Sequence, residues 1–195
     1  MFKRILTLSL LVTVMVWGSC KTIKELTNFA KCKFRYTNIT QTQLAGIDVT
    51  KVINYKDLNI KDAAKVATNL AQGKLPLNFT INLQVNNPNA ELAALNKLDW
   101  IAFIDDRELI NGVLNQRVEV RPGETATLPL TVSADLIQAF KNEPKDKLPG
   151  YAFGLADKDG KPRRVGIKVK PTIMVGKMPF SYPGWITLSQ EFKGE

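Results

Sequence analysis

The sequence predicts an all-β chain, an antiparallel β-sandwich with one or two short helices. Three observations carry that expectation. First, Leu77, Phe79, Ile81, Leu83 and Val85 alternate with Asn78, Thr80, Asn82, Gln84 and Asn86. A period of two sends one face into a core and the other into water. Second, about eight short strands can be traced, most ending at a turn signal. Third, neither a Gly-rich βαβ pattern nor an internal repeat is present. At 195 residues, 45% of them apolar and 23% charged, the chain suffices for one packed domain and a short extra.

The extra lies at the N-terminus. Met1-Phe2-Lys3-Arg4 is a positive start, and Ile5 to Gly18 then carries no charge. This is the layout of a secretory signal. The apolar run is shorter than the ~20 residues a transmembrane helix needs. Gly18-Ser19-Cys20 resembles a bacterial lipobox, with Trp17 where Leu or Val is usual. In that kind of signal the chain is cut between Ser19 and Cys20, and Cys20 takes a diacylglycerol on sulfur. Acyl chains such as palmitate contribute about 0.8 kcal/mol per buried CH₂, and two or more hold a chain on a membrane. The alternatives are an ordinary signal peptide with Cys20 a plain thiol, or a Cys20–Cys32 disulfide, which excludes the thioether. The expected organisation is a signal peptide over 1–19, a polar tether over 20–30 after the lipidated cysteine, and one sandwich domain over 31–190.

Within the domain, Cys32, Phe34 and Tyr36 alternate with polar residues as a first strand, and Leu44 to Val49 forms a second. Asn59 to Gln72 reads as a helix with Ala63, Ala64, Val66, Ala67 and Leu70 on one stripe. Asn59 caps it and Gly73 stops it. This helix covers an end or edge of the sandwich. Its stripe is Ala-rich and lacks the Trp or Phe expected of a membrane contact. The strand at Leu77 ends at Asn87-Pro88-Asn89, where proline cannot continue the ladder. Ala94 to Ile104 is nearly continuously apolar from Trp100, as for a strand covered on both sides or lying at a sandwich centre. Asp105-Asp106 marks a bend, and Leu109 to Leu114 a short strand around Gly112. Val118 to Val120 and Thr125 to Val132 read as a hairpin about Pro122-Gly123. Ser133 caps a short helix over Ala134 to Lys141, and Glu143 to Gly150 is a loop. Tyr151 to Ala156 reads as a strand, Asp157 to Gly160 as a turn, and Val165 to Val175 as a strand. Phe180, Trp185 and Ile186 close the body.

The chemistry this sequence can carry is limited. It contains no histidine, which removes the usual base for a Ser or Cys nucleophile and the commonest metal ligand. With two cysteines at most, zinc is not expected. No catalytic, cofactor-binding or metal-binding residue is assigned. Asp99, Asp105, Asp106 and Glu108 are the local supply for a two-carboxylate glycosidase, and they read better as turn residues. The net charge of +9 favours anionic surroundings. Arg164, Lys168 and Lys170 share one face of their strand and are the candidate contacts for an anionic surface such as lipid headgroups. The rival reading is a solvated face whose lysines discourage edge pairing. Export argues against nucleic acid as a partner.

The segment INLQVNNPN, closing a strand on Asn87-Pro88-Asn89, resembles the opening of the late-embryogenesis-abundant (LEA) type 2 domain, also called the water-stress and hypersensitive-response (WHy) domain. The strand from Trp100 to Ile104, the Asp turn, Gly112, Pro122-Gly123-Glu124 and TLPLTV follow in similar order, so the resemblance spans roughly Leu77 to Ile186. With the lipobox upstream, the arrangement is similar to envelope lipoproteins of that family. The resemblance implies an immunoglobulin- or fibronectin III-like sandwich, no catalytic residues and no cofactor. It implies a role in stress protection, such as desiccation, or in binding an anionic lipid or protein. The expected function is that of a non-enzymatic, lipid-anchored protein of the cell envelope, on the outer membrane or the periplasmic face of the inner membrane. The alternative is a carrier of lipid or another apolar ligand in the envelope, with a cavity between sheet and helix.

Overall fold

The computed structural model describes residues 21–50, 52, 55–156 and 163–192. Residues 21–30, expected as part of a tether, form a helix (α1) instead. Leu26 and Phe29 are buried, and Phe29 joins the main core. Burial of each stabilises the docked helix by about 1.5–3 kcal/mol. The folded body therefore begins before residue 31.

Eleven strands follow among the described residues: β1 (Lys33–Leu44), β2 (Ile47–Asp48), β3 (Pro76–Asn86), β4 (Ala93–Leu95), β5 (Lys97–Ile104), β6 (Arg107–Leu114), β7 (Val118–Val120), β8 (Thr125–Asp135), β9 (Arg163–Val175), β10 (Met178–Ser181) and β11 (Ile186–Phe192). Three more helices interrupt them: α2 (Ile60–Ala71), α3 (Leu136–Ala139) and α4 (Pro149–Ala156). One antiparallel sheet has the order β2-β1-β3-β8 and the other β10-β9-β5-β6, with β11 also on β9. A two-stranded ladder, β4-β7, stands apart from them. The two large sheets share one core. This is the all-β sandwich expected, with more helix than expected.

Strand β3 sets the frame. Its Leu77, Phe79, Ile81, Leu83 and Val85 are all buried, and it pairs with β1 on one side and β8 on the other. Leu128, Leu130 and Val132 of β8 continue the same inner face. Opposite them stand Leu98, Trp100, Ala102 and Ile104 of β5, and Val165, Ile167 and Val169 of β9. Strand β5 lies at the centre of its sheet, but only alternate residues are fully buried. Ile101 and Phe103 are half-exposed, so the strand is not covered on both sides.

Several local expectations change. Strand β1 runs unbroken to Leu44, passing two register shifts, one of them at Gln41, whose φ is +57°. The extra residues bend it without ending it. Helix α2 is capped as expected, Asn59 Oδ1 accepting from Asp62 N–H at 2.9 Å. Of its stripe only Val66 is buried, and Lys65 Nζ donates to the Gly46 carbonyl of the β1–β2 turn. Asp135, not Ser133, caps α3, since β8 continues through Ser133 and Ala134. Tyr151 to Ala156 is helical rather than extended. Pro149 suits a first helical position, and Tyr151, Ala152 and Phe153 are buried in succession, a pattern with no alternation to mark a strand. The Tyr151 ring stacks on Phe140 at 4.2 Å. The turn expected at Asp157 to Gly160 lies outside the described residues.

Strands β7 and β8 do not pair with each other. Val118 and Val120 pair with Leu95 and Ala93 of β4, while β8 pairs with β3. The Pro122-Gly123 turn carries the chain across from the small ladder to the large sheet. In β9, Pro171 falls between the residues paired with β11 (163–169) and those paired with β10 (172–175). A residue without an N–H is tolerated where the neighbouring strand breaks.

Candidate functional site

Ser19 and Cys20, the expected cleavage and lipidation positions, lie outside the described residues. What the structure describes is the pole at which residue 21 enters the fold. There β1 begins, β3 ends, and Asn87-Pro88-Asn89 follows. Asn87 is fully buried, and every polar group it has is satisfied. Its N–H donates to the Glu124 carbonyl at 2.9 Å, and its own carbonyl accepts from Gly123 N–H at 2.8 Å. Its side-chain amide donates to the Val120 and Glu91 carbonyls at 2.8 and 2.9 Å. Its Oδ1 accepts from the backbone and side chain of Asn89. One side chain thus ties together the end of β3, the β7–β8 crossover and the loop before β4. The sequence reading treats Asn-Pro-Asn as a strand terminator, and the geometry adds this clasp.

The clasp extends to α1. Asn89 Nδ2 donates to the Asn28 carbonyl at 2.9 Å, and Asn28 Nδ2 donates to the Leu92 carbonyl at 3.3 Å. Arg117 bridges Glu25 of α1 at 3.0 Å and Glu119 of β7 at 2.6 Å. The bond to Glu119 is the main reason the guanidinium is held more firmly protonated than usual. Nothing in the local sequence around Glu25 announces this partner, 92 residues away. Cys32, just past the helix, is a free buried thiol that donates to the Asn28 carbonyl at 3.4 Å. Burial pushes its pKa up to about 11, so it stays protonated and unreactive near neutral pH.

Arg164, Lys168 and Lys170 do line the outer face of β9, alternating with buried Val165, Ile167 and Val169. Neighbouring strands supply partners that β9 alone does not reveal. Arg164 pairs with Asp106 at 2.9 Å. Lys168 Nζ sits 4.7 Å from the centroid of the Phe103 ring, a cation–π contact. Lys170 stands opposite Asp99, whose carboxylate pairs with Lys97 at 2.8 Å. A depression of about 190 Å³ is lined by Phe103, Asp106, Arg164 and Lys168. The stripe is therefore a mixed surface rather than a purely basic one.

The same contacts place the acidic candidates. Asp105 and Asp106 form the β5–β6 turn with φ of +49° and +64°. Asp105 Oδ1 accepts from Arg164 N–H at 3.0 Å. Together with the pairing of Asp99 and Asp106, this gives three of the four candidate carboxylates roles in a turn or ion pair. Among the described residues no group of three or more His, Cys, Asp or Glu is placed to hold a metal ion. A second depression of about 340 Å³ lies on the outer face of the β1-β3-β8 sheet. Gln41, Gln43, Asn78, Thr80 and Thr131 line it with amides and hydroxyls, beside Asp48.

No family model and no curated protein matches the sequence. Among solved structures, AT1g01470 from Arabidopsis thaliana is 13% identical, with 83% of each chain covered and a TM-score of 0.43. A solution structure described as a candidate late embryogenesis abundant (LEA) protein, At2g46140.1, is 12% identical over 93% of this chain and 85% of that one, with a TM-score of 0.35. A protein from Archaeoglobus fulgidus is 14% identical over 60% of this chain and 84% of that one, with a TM-score of 0.37. The sandwich rests on the strands and their pairing.

Proposed function

We propose that this protein is a non-enzymatic, lipid-anchored component of the cell envelope, of the LEA type 2 kind. In this reading acyl chains on Cys20 hold it to a membrane. The sandwich presents its outer sheet faces to a protein or to anionic headgroups, with Arg164, Lys168 and Lys170 among the contacts. The observation that carries the reading is the docking of α1. The apolar run Ile5 to Gly18 and Cys20 immediately precede a helix that is clamped to the sandwich by Asn89, Asn28 and the Glu25–Arg117 pair. An anchor there would hold the Asn87 pole close to the bilayer instead of letting the domain swing on a flexible tether.

Feeding expressing cells a fatty-acid probe tests the anchor. The wild-type chain takes up label and fractionates with membranes, and Cys20→Ser does neither. Unlabelled wild-type chain in the soluble fraction would contradict the reading. Crosslinking in intact envelopes, followed by pull-down, then identifies the partner.

A further inference from the structure

The tip of the β9–β10 hairpin is unusually apolar for a surface. Met174, Met178 and Phe180 are 40%, 62% and 40% exposed, and Trp185, just before β11, is 44% exposed. Phe180 pairs with Ile173 and Met178 with Val175, so both lie on the side of the sheet that faces the core farther along β9. They are exposed because β10 is the edge strand of its sheet, although Ile173 opposite Phe180 is buried. Single exposed apolar residues are ordinary, but three on one hairpin, Met174 on one face and Met178 and Phe180 on the other, with Trp185 four residues past its end, are not. The positions they mark on β9, from Lys170 to Val175, span only about 16 Å.

Three further facts fit one occupant. The hairpin leaves the sandwich at the pole where α1 is clamped. Asn96 N–H donates to the Thr172 carbonyl, and Asn96 Oδ1 accepts from Met174 N–H. Leu95, the residue before Asn96, pairs with Val118, next to the Arg117 that holds Glu25 of α1. Glu25, five residues past Cys20 in sequence, is thus held at the same pole. The segment from Lys170 to Ser189 carries Lys170 and Lys177 and no carboxylate. Trp and Phe flanked by lysines suit the boundary between acyl chains and anionic headgroups, with the ring in the apolar layer and the ammonium in the headgroups.

We propose that the β9–β10 hairpin and Trp185 form a second membrane contact, dipping into the interface of an anionic bilayer beside the lipid anchor. The inference rests on the anchored reading given above. It converts a point attachment into a fixed orientation, because an acyl group and a protein edge at one pole together limit rotation.

The test uses full chain isolated from envelopes and reconstituted in vesicles of phosphatidylcholine and phosphatidylglycerol, with and without brominated acyl chains. Trp185→Phe isolates the signal, since Trp100, the other tryptophan of the processed chain, is common to both proteins and cancels in the difference. The emission assigned to Trp185 should fall roughly twofold with brominated lipid, as expected for an indole at the interface. Met178→Glu with Phe180→Glu should abolish that quenching while the protein still floats with the vesicles. A floating wild-type chain whose Trp185 emission ignores brominated lipid would overturn the hairpin contact and leave the anchor standing. A wild-type chain that does not float would remove the anchor and the hairpin contact with it.

Discussion

Gly112 of β6 lies directly against the indole of Trp100 on the adjacent strand β5. A Cβ added at Gly112 would sit 2.1 Å from Trp100 Cζ2 and within 2.6 Å of two further ring atoms. Trp100 is nearly buried, so its ring has little room to retreat. The missing side chain is what lets an indole fill the core between the sheets. Gly112→Ala should therefore cost about 1–3 kcal/mol, as overpacking does. Trp100→Phe should cost stability alone, by leaving a cavity. Combined, the two should cost less than their sum, because the smaller ring accepts the methyl group. Urea midpoints of the four proteins check this, and strict additivity would mean the ring moves aside freely.

Asn87→Ala should destabilise by about 2–3 kcal/mol, since it strips donors from the Val120 and Glu91 carbonyls and removes the acceptor used by Asn89. Asn87→Asp should be worse near neutral pH, because it sets a buried carboxylate against those two carbonyls. The Asp variant should regain part of the loss at acid pH, where the carboxyl can donate again. Chemical denaturation at two pH values separates the variants. A mild effect from both would show that the clasp is dispensable.

Burial holds the Cys32 thiol at a pKa of about 11, above its ordinary 9.0. The folded chain therefore keeps a proton that the unfolded chain releases between those values, and stability falls as pH rises through that window. Below about pH 9 the contribution is complete. The fall should reach on the order of 2 kcal/mol and should be smaller in Cys32→Val. Denaturation midpoints across the window check the sign. Iodoacetamide should modify Cys32 in the native protein at neutral pH only after local or global opening.

Glu25→Gln should weaken α1 without unfolding the sandwich, since Arg117 keeps Glu119. The expected cost is about 1 kcal/mol, more than for a fully exposed pair because Glu25 is buried on the protein side. Hydrogen exchange over residues 21–30 should rise while β3 and β8 keep their protection.

What the sequence revealed follows from which forces are local. The alternation of Leu77 to Asn86 and of Thr125 to Val132 is written along the chain, because a half-buried strand must alternate. Asn59 and Gly73 bracket α2 for equally local reasons. Three features were hidden. Residues 21–30 look polar, and only the spacing of Ile23, Leu26 and Phe29 hints that one face is apolar. Tyr151 to Ala156 is a short apolar run, which periodicity cannot divide between strand and buried helix. The partners of Arg164 and Glu25 come from distant parts of the chain, and Lys170 faces Asp99 of the next strand, so charge counted along one strand overstates how basic its face is. The expected Val118 to Val132 hairpin is replaced by two separate pairings for a related reason. A turn signal says where the chain reverses, but not which sheet each arm joins.

The account depends most on α1 being part of the folded body at the pole that Asn87 closes. Native-state hydrogen exchange of the full chain measures this directly. Amides of residues 25–30 should be protected well above the rate of an open chain, and Asn89→Ala, which cuts the bond to the Asn28 carbonyl, should lower that protection while β3 stays slow. Exchange of residues 25–30 at open-chain rates in the wild type would contradict the account.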